Sequence, residues 1–213
     1  ATTEIYTLSL HDALPILPPT TPAVPQSQVP QARAESGPGG MPSATAPGQP
    51  PDSEPLTEPR IMLRSPALSD GGHMWRLARD SGALDLNTSY AYLLFARDFA
   101  DTCRVAVVDG EVVGFVLGYR RPTEPETLFV WQIAVDPSQR GKQLAGRLLT
   151  SVAAGARFVE ASITADNTAS QRLFERFARD QGAELTRGEF LAASDFPDGH
   201  DAEGLVRIGP LRS

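Results

Sequence analysis

A strand that runs into a cationic glycine turn and then a helix constrains this chain more than any other feature. Thr127–Val135 reads TLFVWQIAV, a nearly unbroken run of β-branched, aromatic and aliphatic residues, as expected of a central strand covered on both faces. A short polar stretch follows, and Gly141–Ala154 then repeats apolar residues at helical spacing. The helix is expected to open at Arg140-Gly141-Lys142. Its first-turn N–H groups lack intrahelical partners and, with Arg140 and Lys142 beside them, favour a phosphate.

The flanking elements extend this into a layered α/β domain. Ile61–Ser65 reads as a short strand. Asp70–Asp80 reads as a helix capped by Ser69 or Asp70, with Met74, Leu77 and Ala78 inward. Ser81-Gly82 ends it, and Asn87 or Thr88 caps a second helix whose apolar face is Tyr90, Leu93, Leu94 and Phe95. Asp109-Gly110, between Arg104–Val108 and Glu111–Tyr119, is the signal of a type I′ hairpin. Phe158–Thr164 is a strand, and Asn167–Asp180 a helix with Asn167 suited to its N-cap and Leu173, Phe174 and Phe177 inward. Glu184–Arg187 and Glu203–Ile208 close the sheet.

Residues 1–60 belong to a different regime. Residues 18–59 hold runs such as PPTTP, GPGG and PGQPP, which bury too little apolar surface to offset ordering entropy, so a disordered tail is expected, with the folded domain at 61–213. Residues 1–16 resemble translated sequencing-adapter DNA found at the ends of gene models, and they lack the basic start of a secretory signal. The tail carries two Arg against six acidic residues, so it supplies −4 of the net −7 and leaves −3 for the domain, which argues against a nucleic-acid partner. No run of 18 apolar residues is present, so no membrane span is expected. The lone Cys103 fits a reducing, cytoplasmic setting and reads as a small buried residue at a strand start. The three histidines and Cys103 fall at no metal-ligand spacing.

The Ile133-Ala-Val strand followed by Arg140-x-x-Gln143-x-Ala145 resembles the acetyl-CoA pyrophosphate motif of the GNAT acyltransferases, where Arg-x-x-Gly-x-Gly/Ala is usual. Gln143 departs from the glycine of that pattern, which places a side chain beside the phosphate approach. Asn167-Thr-Ala-Ser-Gln-Arg-Leu-Phe174 resembles the family's second CoA element, with Phe174 where many relatives carry a tyrosine that protonates the leaving thiolate. The resemblance implies a mixed, mostly antiparallel sheet flanked by helices and acetyl-CoA as co-substrate. It further implies that Ile133, Ala134, Val135, Arg140, Gly141, Lys142, Gln143, Ala145 and Asn167 contact the cofactor. The backbone of Ile133 or Ala134 would then polarise the thioester carbonyl.

Three further segments, Leu84–Tyr92, Leu128–Gln132 and Phe196–Glu203, together with the strand Gly114–Tyr119, resemble the diaminobutyrate acetyltransferases of ectoine biosynthesis. That family implies a homodimer and a substrate with one carboxylate and two amines. Asp85, Asn87, Tyr90, Trp131, His200 and Glu203 would line its site, the acids taking the cationic ends and Trp131 offering a ring face. The general base stays open among Tyr90, Glu203 and a water held by Asp85. Each residue also has a plainer reading: Trp131 and Tyr90 as core, Asp85 as a loop residue, His200-Asp201 as a solvated turn. Two other readings of the chain remain, a GNAT enzyme for another amine or peptide N-terminus, and a non-catalytic CoA-binding module favoured by Gln143 and Phe174.

Overall fold

The Asp109-Gly110 hairpin sits where the sequence places it, with both residues at positive φ (50° and 87°), as a type I′ turn requires. The computed structural model describes residues 5–6, 60–81, 84, 86–197, 199 and 201–212. The expected disorder of residues 1–60 therefore lies outside the described residues, apart from Ile5–Tyr6 and Arg60. The chain divides into two units, Ala1–Leu14 with Pro59–Ser213 and Pro15–Glu58, and the second lies entirely outside the described residues.

The strands are β1 Ile5–Tyr6, β2 Met62–Arg64, β3 Arg104–Val108, β4 Glu111–Arg121, β5 Glu124–Val135, β6 Phe158–Ile163, β7 Leu185–Leu191 and β8 Glu203–Ile208. The helices are α1 Gly71–Ser81, α2 Ser89–Asp98, α3 Leu144–Ala153 and α4 Thr168–Gln181. The sheet order is β2-β3-β4-β5-β6-β8-β7, with β1 paired separately to β5. Of these pairings only β5–β6 is parallel, so the mixed, mostly antiparallel sheet is borne out. One face buries Leu128, Val130, Ile133, Val159, Ala161, Val206 and Ile208 against α3 and α4. The other buries Val105, Val107, Phe115, Leu117 and Trp131 against α1 and α2.

Two elements differ from expectation. In α2 the buried residues are Tyr92 and Ala96, while Tyr90 is 67% exposed and Leu93 38%. The helix is turned so that the Tyr92 hydroxyl donates to Gln132 Oε1 at 2.9 Å in the buried layer, and a satisfied phenol there outweighs the face the apolar count suggested. In α3 the first helical residue is Leu144, three residues beyond the expected start, because Gln143 at φ 53° and ψ 30° interrupts the helix.

Asp70 does not cap α1 in the expected way. Its carboxylate accepts from Arg64 Nη1 and Nη2 at 2.5 and 3.0 Å and from the Ala67 N–H at 2.7 Å, tying β2 to the start of α1. The Arg64 hydrogen bond holds the Asp70 carboxyl below its ordinary range, against the opposing effect of burial. A depressed carboxyl stabilises the fold above the unfolded value, about pH 4, and loses that contribution as pH falls through the folded value. Asp70→Asn is therefore expected to cost about 1–2 kcal/mol at neutral pH, with Arg64 partly exposed and screened. Denaturant melts should show the gap from wild type closing below about pH 4.

Candidate active site

The site begins with a short pairing. β5 and β6 are hydrogen-bonded only over Thr127–Phe129 and Phe158–Glu160, so from Val130 onward the β6-side edge of β5 carries no β6 partner. The described segment that meets this edge is β1, with Ile5 opposite Ala134 and Tyr6 opposite Ile133. The edge is thus competent to pair with an extended chain of amides. Asp136 N–H donates to Val113 O at 2.8 Å across the β4 side, with Gly114 opposite Val135. By antiparallel alternation Ala134 also spends its backbone groups on β4, opposite Phe115, while Ile133 and Val135 direct theirs to the edge that β1 meets. Of the two residues expected to polarise a carbonyl, this parity favours Ile133.

A β-bulge lies one step earlier. Leu117 pairs with Gln132 and Gly118 with Val130, so Trp131 is the extra residue. The bulge lets Trp131 and Gln132 both face the α2 side, where strict alternation would separate them. Phe95 stacks on one face of the Trp131 indole at 4.6 Å and 17°. Trp131 is buried, and its Nε1 has no hydrogen-bond partner among the described residues. The core reading of Trp131 is thus met on the ring face that packs against Phe95.

Glu203 opens β8, buried to 2% exposure and opposite Leu191. Because Val206 and Ile208 face α3 and α4, Glu203 points to the sheet face that carries Trp131. Tyr90 stands on the first turn of α2, largely in water. Asn87 is half-buried just before Thr88, the N-cap of α2. Asp85 and His200 lie outside the described residues.

At the other end, Gly141 (φ 75°) and Gln143 shape the turn into α3. The left-handed conformation costs a non-glycine residue about 1–2 kcal/mol, which accounts for the glycine usual at this position and makes Gln143 a strained substitute. Its carbonyl accepts from Arg147 N–H, so the amides of Leu144, Ala145 and Gly146 form the unpaired first turn. The Gln143 side chain does not fill the approach; its Oε1 accepts from Arg176 Nη2 at 2.9 Å. Lys142 Nζ donates to Gln139 Oε1, and the buried Arg140 Nε has no hydrogen-bond partner among the described residues. Asn167 caps α4 as predicted, its Oδ1 accepting from Ser170 N–H at 3.0 Å. Phe174 is sealed in the core and offers no proton donor.

Between α3 and α4 lies a groove of about 570 Å³ lined by Gly141, Gln143, Gly146, Arg147, Arg172 and Arg176 among others. Its size suits a nucleotide-sized ligand. Arg147, Arg172 and Arg176 were not singled out from the sequence, because arginines at helical spacing read as a solvated face. Cys103 is fully buried, and burial pushes its thiol up to about 12, which leaves it unreactive. Among the described residues no group of three or more His, Cys, Asp or Glu side chains is placed to hold a metal, and no helix is long and apolar enough to cross a membrane.

Residues 73–178 match the acetyltransferase (GNAT) family. The chain is 46% identical over 180 residues to the L-2,4-diaminobutyric acid acetyltransferase of Nocardia farcinica, spanning 76% of this chain and 93% of that protein. It is 49% identical over 159 residues to that of Streptomyces avermitilis, spanning 71% and 89%. Among solved structures it resembles the diaminobutyrate acetyltransferase EctA of Paenibacillus lautus in complex with its substrate L-2,4-diaminobutyric acid and coenzyme A. That match has a TM-score of 0.68 at 40% identity and covers 73% of this chain and 98% of the other. The early end of the β5–β6 pairing, the turn into α3 and sequence identity across the domain agree: the chain belongs to the diaminobutyrate acetyltransferases of the GNAT family.

Proposed function

We propose that this chain transfers the acetyl group of acetyl-CoA to the γ-amino group of L-2,4-diaminobutyrate, giving N4-acetyl-diaminobutyrate for ectoine biosynthesis. One observation beyond family membership supports it most. The β5 edge that β6 leaves, where β1 pairs, has the α3–α4 groove on one sheet face and the side chains of Trp131 and Glu203 on the other. A nucleotide-tailed thioester and a diamine can therefore meet across the sheet.

Acetyl-CoA supplies the acetyl group as a thioester. Arg140, Gly141, Lys142, Gln143 and Ala145 hold its pyrophosphate at the turn and first amides of α3, with Asn167 beside its pantetheine arm. Ile133 and Val135 pair with the pantetheine amides in place of β1, and the Ile133 N–H stabilises charge developing on the carbonyl oxygen. Trp131 offers its ring and N–H to the diamine, whose cationic ends Asp85 and Glu203 offset, with Asn87, Tyr90 and His200 completing the site. Glu203 takes the proton from the γ-ammonium. The nitrogen forms the new C–N bond as the C–S bond breaks and sheds its second proton to water, and solvent protonates the thiolate, since Phe174 cannot. The proposal extends to a homodimer, supported by resemblance to the family, and to the cytoplasm, supported by the lone Cys103.

The test is thiol release from acetyl-CoA by the full chain with diaminobutyrate, ornithine, lysine or a peptide N-terminus. Diaminobutyrate is expected to exceed ornithine by about 10- to 200-fold in kcat/KM, the discrimination one methylene provides. The acetyl group should sit on the γ-nitrogen by NMR. Equal rates with ornithine or the peptide would replace the substrate assignment. Acetyl-CoA binding without thiol release for any amine would make the chain a CoA-binding module.

A further inference from the structure

The groove between α3 and α4 carries more positive charge than a pyrophosphate at the α3 turn accounts for. Arg147 on α3 and Arg172 and Arg176 on α4 line it, against one acid, Asp180. Arg147 and Arg172 form no ion pair among the described residues. Arg176 is held from two sides, its Nη2 by Gln143 Oε1 at 2.9 Å and its Nε by Asp180 Oδ2 at 3.6 Å. Two guanidinium groups on α4 thus face a third on α3 across the groove, with buried Leu173 and Phe177 also lining it. Arg140 and Lys142, which flank the turn, are not part of this lining.

Coenzyme A has one further anion suited to such a cluster. The 3′-phosphate on its ribose is a monoester close to doubly charged at neutral pH, and it is absent from dephospho-CoA. Arginines bind such groups through paired N–H donors. We propose that Arg147, Arg172 and Arg176 bind this 3′-phosphate, and that Gln143 is a positioning residue holding Arg176 over the groove. The inference rests on acetyl-CoA being the donor substrate. It gives the strained left-handed residue a use, because a glycine there could not reach Arg176. Recognition of the donor nucleotide is then set by α4 arginines outside the pyrophosphate motif.

Calorimetric titration of the full chain with CoA and with dephospho-CoA tests this without any acceptor amine. Wild type is expected to bind CoA about 10- to 100-fold more tightly, with the difference shrinking as salt rises. Combined Arg172→Ala and Arg176→Ala substitution should reduce the ratio to below about threefold while leaving dephospho-CoA affinity within about twofold of wild type. Gln143→Gly should lower the ratio of the two affinities, a split that general loosening of the turn, which weakens both ligands alike, would not give. Melting temperatures would confirm that each variant is folded. Equal wild-type affinity for the two ligands overturns the 3′-phosphate site and leaves the acetyltransferase reading standing. Failure to bind either ligand overturns both.

Discussion

Glu203→Gln is expected to lower kcat for diaminobutyrate by about two to three orders of magnitude while leaving acetyl-CoA affinity unchanged. The substitution keeps the size and packing of a residue that is only 2% exposed, so a loss of rate would report chemistry and not a disturbed strand. A glutamine can neither accept the γ-ammonium proton nor offset its charge. Acetyl-CoA binding is expected to survive because Glu203 lies on the sheet face opposite α3 and α4, away from the groove. Steady-state kinetics with both substrates varied separates the two roles given to Glu203. A normal kcat with a raised KM for diaminobutyrate would make Glu203 an ammonium ligand and move the base elsewhere. The exposed Tyr90 is then a poorer substitute than a water held near Asp85.

The elements legible in the sequence were those specified by neighbours along the chain. The Asp109-Gly110 turn, the Asn167 cap and the two-faced apolar run of β5 each depend on a few consecutive residues, and all three appear as expected. What could not be read depends on partners far away. Tyr92 turns inward because its hydroxyl meets Gln132, 40 residues on, and no count of apolar residues in α2 contains that information. The choice of Ile133 over Ala134 is set by parity from the Asp136–Val113 hydrogen bond. The doubling of Trp131 and Gln132 on one face is set by a bulge against β4. Gln143 was legible as a departure from a motif. Its consequences, a left-handed residue that delays α3 and reaches across to Arg176, appear only with α4 in place.

The second large effect is expected where β5 and β6 stop pairing. Glu160 is the last β6 residue opposite β5, is 1% exposed, and accepts from Arg121 Nη1 on β4 at 2.6 Å and from Arg207 Nη1 on β8. Arg207 also reaches Glu124 on β5 at 3.0 Å and lies over the Phe158 ring at 4.1 Å. Four strands are thus fastened at the point from which the β5 edge lies open. Glu160→Ala leaves two arginines facing each other without their shared carboxylate. Breaking a fully buried pair costs about 3–5 kcal/mol, and because both arginines are near 30% exposed and can turn toward water, about 2–4 kcal/mol is expected. Denaturant melts measure it, and adding Arg207→Met should recover part of the loss, since one of the two facing arginines is then gone. The clamp sits where β5 and β6 stop pairing, at the edge proposed for the pantetheine arm, so Glu160→Ala should also raise KM for acetyl-CoA more than KM for diaminobutyrate. A loss of stability with both KM values unchanged would show that the network holds the sheet together but does not set the opening. A selective rise in the acetyl-CoA KM would tie the short β5–β6 pairing to the proposed donor site.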